Sequence, residues 1–255
     1  MQLKHAGDVR LARASYLAHP TKNLTYLFEK RFGWMQRYLT PQSVVVEVGC
    51  GAGLSTHFLQ CLRLILTDYE ANPWVQTAAD ALRLPFRDHA LDGIIANNVV
   101  HHVAHPLQFF AEARRALKLG GVLIIQEINC SWLMQWLLRV THHEGFNFHC
   151  NVFNLDEICT NPKDLWDANC AIPNLLFDDP AKFFRHVPGF AIEESRYDEV
   201  LLLPLSGGVI AKAPTIECPL ALLKMVDRLD QWLIHVSPQL FPLQRHVALR
   251  KVEAA

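Results

Sequence analysis

The stretch Val44-Val45-Val46-Glu47-Val48-Gly49-Cys50-Gly51-Ala52-Gly53-Leu54-Ser55 constrains the fold more than any other part of the chain. Its opening is a β-branched apolar run broken only by Glu47, which suits a strand buried on both faces of a parallel sheet. The glycines that follow permit a tight turn and let a ligand approach the backbone, because no Cβ stands in the way. From Leu54 the spacing of Leu54, Phe58, Cys61 and Leu62 predicts a helix. Strand, glycine turn and helix frame a crevice at the carboxyl end of the strand, where N–H groups at the helix start meet a ligand.

The glycine spacing narrows the choice of ligand. A dinucleotide fingerprint reads G-x-G-x-x-G and would need glycine where Leu54 stands. Glu47 lies two residues before Gly49, where it can accept hydrogen bonds from the loop or face a cationic group. Both features disfavour a nicotinamide dehydrogenase.

The 255 residues are enough for one α/β domain with a cap, or for two small domains. A formal net charge of −1 gives no basic footprint, so nucleic acid is not an expected partner. Seven cysteines without C-x-x-C spacing suit a reducing compartment, and a cytoplasmic location is expected. The first residues lack an apolar signal core. No apolar run approaches the roughly 18 residues of a spanning helix.

Residues 1–39 read as helical, with Leu24, Leu27, Phe28, Phe32, Met35 and Leu39 at turn spacing; this segment either covers the pocket or packs on the sheet. A second strand, Leu64–Asp68, ends in an acid where doubly wound nucleotide folds bind ribose hydroxyls. Pro73 leaves no room for a full crossover helix, so the third strand is brief, near Val75–Ala79. The fourth strand, Gly93–Ala96, points Asn97 and its polar neighbours into the same crevice. A helix over Pro106–Leu117 ends at Gly120-Gly121, followed by a fifth strand, Val122–Glu127. Residues 129–189 are aromatic-rich and weakly periodic. A sixth strand (about Ala191–Leu203), a helix (Pro219–Val236) and a last strand (His246–Val252) close the chain.

The motifs occur in a telling order: Glu47-Val48-Gly49-Cys50-Gly51-Ala52-Gly53, Asp68, Asp80-Ala81-x-x-Leu84-Pro85-Phe86, Leu91-Asp92, His101-His102 and Ala116-Leu117-Lys118-x-Gly120-Gly121. Together they resemble the core of the class I S-adenosylmethionine (SAM)-dependent methyltransferases, over residues 44 to 128. That resemblance implies an α/β fold, a doubly wound, seven-stranded Rossmann-like sheet with an inserted substrate cap between strands five and six. It divides the chain into an N-terminal helical segment (1–40), the SAM-binding core (41–128), the cap (129–189) and the closing strands and helix (190–255). The last strand is then antiparallel beside the fifth. The cofactor is SAM, with S-adenosylhomocysteine as product. The cofactor-binding residues implied are Glu47, Gly49, Gly51, Gly53, Asp68, Tyr69, Asp80, Ala81 and Asn97, with Asp80 and Ala81 on the adenine amino group. The shortened connection after Asp68 departs from the pattern, and Trp74 is a candidate to stack on the adenine instead. The strings Asn169-x-Ala171-Ile172-Pro173 and Pro204-Leu205-Ser206-Gly207-Gly208 loosely resemble bacterial methyltransferases of glycan and surface-polysaccharide synthesis.

A hydroxyl acceptor must lose its proton, and histidine is the usual base. His101 and His102 follow strand four, while His142, His143 and Glu144 lie in the cap, where a carboxylate beside a histidine raises its basicity. The base candidates are His101, His102 and His143, each weighed against a role in the pocket wall or a solvated loop. His142, His143, His149 and Cys150 are of metal-ligand type, but their spacing matches no known site and no metal is expected.

The expected function is methyl transfer to a hydroxyl of a sugar, glycan or small-molecule acceptor. The alternatives are a catalytically silent binding subunit and a methyltransferase acting on a non-sugar metabolite. The helix Pro219–Val236 carries Leu222, Val226, Leu229, Leu233 and Val236 on one stripe beside Trp232. That stripe either packs on the core or makes a peripheral membrane contact. The sequence does not set the oligomeric state.

Overall fold

A computed structural model describes residues 8–210 and 213–253. Two helices, α1 (Val9–Ala18) and α2 (Lys22–Gln36), are separated at His19-Pro20. Proline cannot continue the first helix, and Thr21 starts the second by accepting from the Leu24 N–H. The first seven residues of the predicted N-terminal helical segment lie outside the described residues.

The strands are β1 (Val44–Val48), β2 (Arg63–Asp68), β3 (Thr77–Ala78), β4 (Leu91–Asn97), β5 (Leu117–Ile128), β6 (Phe190–Asp198) and β7 (Gln244–Lys251). They form a seven-stranded sheet in the order β3-β2-β1-β4-β5-β7-β6. The first five run parallel, and β7 pairs antiparallel with both β5 and β6. This is the Rossmann-like methyltransferase sheet that the motifs imply, including the antiparallel strand beside the fifth.

Alternation along the strands makes two cores. Val45, Ile95, Ile124 and Ala248 face Leu24, Leu27, Phe28, Phe32 and Met35 of α2. Val46, Ile94, Leu123 and Val247 face Phe109, Phe110 and Ala113 of α3 (Pro106–Ala116) on the other side. Two-sided burial is why these strands read as unbroken apolar runs.

Three local expectations fail. No α-helix follows the glycine loop; only a 3₁₀ turn forms, Leu54–His57. The chain has to re-enter the sheet at Arg63, and the Gln60 N–H is taken by the Gln36 side chain of α2. The glycines at 120 and 121 do not separate α3 from a strand, because β5 already starts at Leu117 and includes them. The sixth strand stops at Asp198 rather than Leu203. There the buried Asp230 carboxylate takes the N–H groups of Val200, Leu201 and Leu202 and turns the chain into α7 (Leu202–Leu205).

The insertion from 129 to 189 holds α4 (Trp132–Thr141), α5 (Ile172–Phe177) and α6 (Pro180–His186) among ordered loops. Main-chain bonds staple it to the turn after β4: Asn169 N–H to His101 O at 2.9 Å, and Cys159 N–H to Ala104 O at 2.9 Å. α8 (Leu220–Val236) packs through Leu223 and Asp230, whereas Met225, Leu229, Trp232 and Val236 are exposed. Its apolar stripe is therefore only partly absorbed by the core. Among the described residues no helix is long and apolar enough to cross a membrane.

Candidate cofactor and acceptor site

The parallel strands end at one edge of the sheet, and a cavity of about 280 Å³ opens there. Val48 at the end of β1 and Gly49 after it, Asp68 at the end of β2 and Tyr69 after it, and Asp80 and Ala81 after β3 line it, with Asn98 and His102 beyond β4. This is the crevice at the carboxyl ends of the strands where open α/β sheets bind ligands.

The loop geometry follows from its glycines. Gly49 and Gly53 have φ of +62° and +60°. A Cβ at Gly49 would stand 2.7 Å from Val99 Cγ2, and one at Gly53 would run into the Trp74 indole. Only glycine meets both the conformation and the space. The Asp68 carboxylate accepts from the Gly51 N–H at 2.8 Å and from the Glu70 N–H at 3.2 Å, so it both faces the cavity and fixes the loop. Asp80 caps its own turn through the Leu82 N–H at 2.8 Å and also lines the cavity.

Glu47, Gly53 and Asn97 do not line the main cavity. They line a smaller one of about 140 Å³ behind the glycine loop, together with Phe28, Arg31 and Phe32 of α2. Glu47 is buried and accepts a hydrogen bond from the Ser55 hydroxyl. Burial raises its pKa to about 7 against that bond, and the nearby Asp68 adds to the rise. Trp74 is not placed to stack in the cavity. Its Nε1 donates to Gly51 O at 2.8 Å, and Arg13 sits 4.9 Å over its ring while donating to Ala52 O and Gly53 O. The indole is a buttress under the loop.

The histidines after β4 meet carboxylates from two other segments. His101 is buried, with Nδ1 2.6 Å from Glu127 Oε2 and Nε2 3.7 Å from Glu144 Oε2. Burial disfavours the charged ring, but Glu127 and Glu144 outweigh it and its pKa is raised. Glu127 also takes the N–H groups of Val99 and Val100. The His102 ring lies against that of His101, centroids 4.1 Å apart, with Nδ1 3.0 Å from Asp167 O. Burial and the neighbouring His101 push its pKa down to about 4, so it is neutral at pH 7. Glu144 is lowered: burial opposes ionisation, but His101, His102 and the Cys170 thiol prevail. His143 is half-buried and lines neither of the larger cavities, with Nε2 3.9 Å from Glu144 Oε1. The structure thus joins His101 and His102 to Glu144 and leaves His143 outside the tight group. Glu127 was missed in the sequence; the available signal was an acid at the carboxyl end of β5, the edge where the site lies.

A second cavity, lined by Leu138, Arg139, Glu144, Phe146, Trp166 and Asp167 among others, adjoins the first through Asp164 and Trp166. His102 lines the first cavity and Glu144 the second, which gives room for a second substrate beside the cofactor.

The comparisons agree with this architecture. A family described as a methyltransferase domain matches residues 46–125. The Probable tRNA methyltransferase 9B of Mus musculus is 33% identical over 145 residues, 52% of this chain and 31% of that protein. The Ubiquinone biosynthesis O-methyltransferase of Cereibacter sphaeroides is 26% identical over 128 residues, 38% of this chain and 51% of that protein. The chain therefore spans about half or less of these relatives. A SAM dependent methyltransferase from Archaeoglobus fulgidus superposes with a TM-score of 0.53 at 16% identity, covering 89% of this chain and 94% of that one, a likeness of fold.

Sheet order, glycine loop and family match define a Rossmann-like methyltransferase domain. Residues 46–125 match a methyltransferase domain, and the fold is like that of a SAM dependent methyltransferase, so SAM is the ligand to test against the site. The residues fit that ligand. Glycines leave the cavity wall open, Asp68 and Asp80 offer acceptors to hydroxyl and amino groups, and Glu47 supplies an acid behind the loop.

Proposed function

We propose that this chain methylates a hydroxyl of a sugar, glycan or other small-molecule acceptor. The observation that carries the reading is the buried His101–Glu127 pair beside His102, which lines the cofactor cavity, and Glu144, which lines the adjoining one. The cofactor, when bound, supplies a methyl on a positively charged sulfur, so the carbon–oxygen bond forms as the carbon–sulfur bond breaks. The chain's own work is to hold the hydroxyl in line and to receive its proton. Because Nδ1 of His102 faces a carbonyl, it carries the proton of the neutral ring, and Nε2 is left bare. Glu127 fixes the ring of His101 in the same sense. A binding subunit without catalysis would need none of these groups. A tRNA acceptor, as in the name of the mouse relative, gains no support from a net charge of −1.

We further propose that the acceptor is met at a lipid surface. α8 exposes Met225, Leu229, Trp232 and Val236, and α4 exposes Trp132, Trp136 and Val140. The first turn of α4 is bonded to Gln239 and Leu240 just after α8, so the two apolar faces adjoin. Leu138 and Arg139, on α4, line the acceptor cavity. Tryptophan-bearing apolar helix faces suit a membrane interface.

The test is methyl transfer from labelled SAM to panels of sugar, glycan and non-sugar acceptors. His102→Ala should lower turnover by about 10²–10⁴ while SAM affinity stays level. Transfer to nitrogen or carbon acceptors alone, or full activity in both His101→Ala and His102→Ala, would remove the reading. Sedimentation with liposomes tests the lipid part, and no binding at low salt removes it.

A further inference from the structure

We infer that His101, His102 and Glu144 form a binding site for a divalent cation of the zinc type, at the junction of the cofactor and acceptor cavities. The inference rests on the reading above of this cluster as the place where the acceptor's proton leaves, and it changes what the histidines do there.

One ring nitrogen of each histidine and a carboxylate oxygen of Glu144 lie within 4.8 Å of one another. His101 Nε2 and Glu144 Oε2 are 3.7 Å apart, too far for a hydrogen bond. Two tetrahedral ligands, each about 2.0–2.1 Å from a zinc ion, stand about 3.3 Å apart, so this pair closes by less than an ångström and the widest pair by at most about 1.5 Å. Two imidazoles and one carboxylate make a donor set that zinc accepts in catalytic sites, where three protein ligands leave one position open.

The surroundings carry a second signature. Zinc-bound histidines are held through their other nitrogen by a carboxylate or a backbone carbonyl, which fixes the tautomer. Both arrangements occur here, on adjacent residues. His101 Nδ1 is bonded to Glu127 Oε2 at 2.6 Å, and His102 Nδ1 to Asp167 O at 3.0 Å. Each ring therefore has Nε2 free of that bond. Glu127 is anchored in turn by the Val99 N–H at 2.6 Å, and Glu144 by the Cys170 thiol at 3.2 Å. The ligand sequence was hidden because Glu144 comes from the cap, brought to β4 by the bonds of Asn169.

The location gives the open position a use. His102 lines the cofactor cavity and Glu144 the acceptor cavity. A cation at that boundary would lower the pKa of an acceptor hydroxyl, and the displaced proton would leave to water in the acceptor cavity. The histidines would then act as ligands rather than as the base.

The experiment uses the whole protein. Calorimetric titration with zinc chloride and elemental analysis after dialysis should give one zinc per chain. Cobalt(II) in its place should give the visible bands of a tetrahedral site. His102→Ala and Glu144→Gln should abolish the cobalt spectrum, and Glu127→Gln, which removes only the outer partner, should weaken zinc by about 10–100-fold. Should the alanine variant fail to fold, the two glutamine variants keep the proposal open to refutation. Zinc binding by the wild type no tighter than by folded Glu144→Gln would overturn it, as would full methyl transfer by metal-free protein. The latter result leaves the proposed function standing. Zinc bound with no methyl transfer to any acceptor supports the cation site and removes the function instead.

Discussion

Asp68, the last residue of β2, accepts a hydrogen bond at 2.8 Å from the N–H of Gly51 in the loop after β1. One carboxylate therefore shapes the glycine loop and faces the cavity that the loop borders. Replacing it should harm both. Asp68→Ala is expected to weaken SAM binding by about 10–100-fold, the equivalent of one charge-assisted bond of roughly 1.5–3 kcal/mol. Calorimetry measures the affinity, and circular dichroism checks the fold. Wild-type affinity in a folded variant would contradict the assignment.

The loop has a second support from below. Trp74 is pinned by its bond to Gly51 O and by Arg13 over its ring, so it cannot retreat from a new side chain at Gly53. Gly53→Ala should lose about 1–2 kcal/mol from the left-handed backbone alone, and more from the collision with the indole. Trp74→Ala in the same chain should return the collision part and not the backbone part. A double-mutant cycle in urea separates the two, and strict additivity would show that no collision exists.

The parallel half of the sheet was legible because strands buried on both faces leave contiguous Val, Ile and Leu runs, as in Val44–Val48 and Gly93–Ala96. The acid at Asp68 was legible because its distance from the glycines is a property of the strand–turn–strand path. The helix expected after Gly53 was not formed, since a favourable spacing at Leu54, Phe58 and Cys61 does not show that only a 3₁₀ turn separates the loop from β2. Partners brought together by the fold leave no local mark. Arg31 of α2 makes a buried two-pronged bond to Glu199, at 2.8 and 2.7 Å, across the whole core sequence. Glu144 reaches His101 in the same way, and nothing in the spacing of either segment indicates it.

Asp230 illustrates the same point with a measurable cost. Its carboxylate, buried inside α8, accepts from three successive N–H groups at 2.8–3.0 Å and turns the chain out of β6. Asp230→Ala leaves those donors without partners, each costing about 1–3 kcal/mol when buried. A loss of several kcal/mol in urea unfolding is expected, with Asp230→Asn milder. A loss below about 1 kcal/mol would mean that water or a shifted loop replaces the carboxylate.

Glu47 should make stability and cofactor binding depend on pH in a defined direction. Its ordinary pKa is 4.5, and in the folded chain burial takes it to about 7. Between these values the folded chain keeps a proton that the unfolded chain has released. Stability linked to this group is thus complete below about pH 4.5 and is lost as pH rises through about 7, by on the order of 3 kcal/mol in total. Urea unfolding of the cofactor-free protein at pH 5 and pH 8 should show this fall beyond any shared by Glu47→Gln, which cannot ionise. A cationic ligand group near Glu47 would restore the charged form and expel the proton. SAM binding at pH 6.5 is therefore expected to release protons, read as a dependence of the calorimetric heat on buffer ionisation, and Glu47→Gln should abolish most of that release. Equal pH profiles and equal proton release in the two proteins would show that Glu47 is ionised throughout and does not answer to the cofactor.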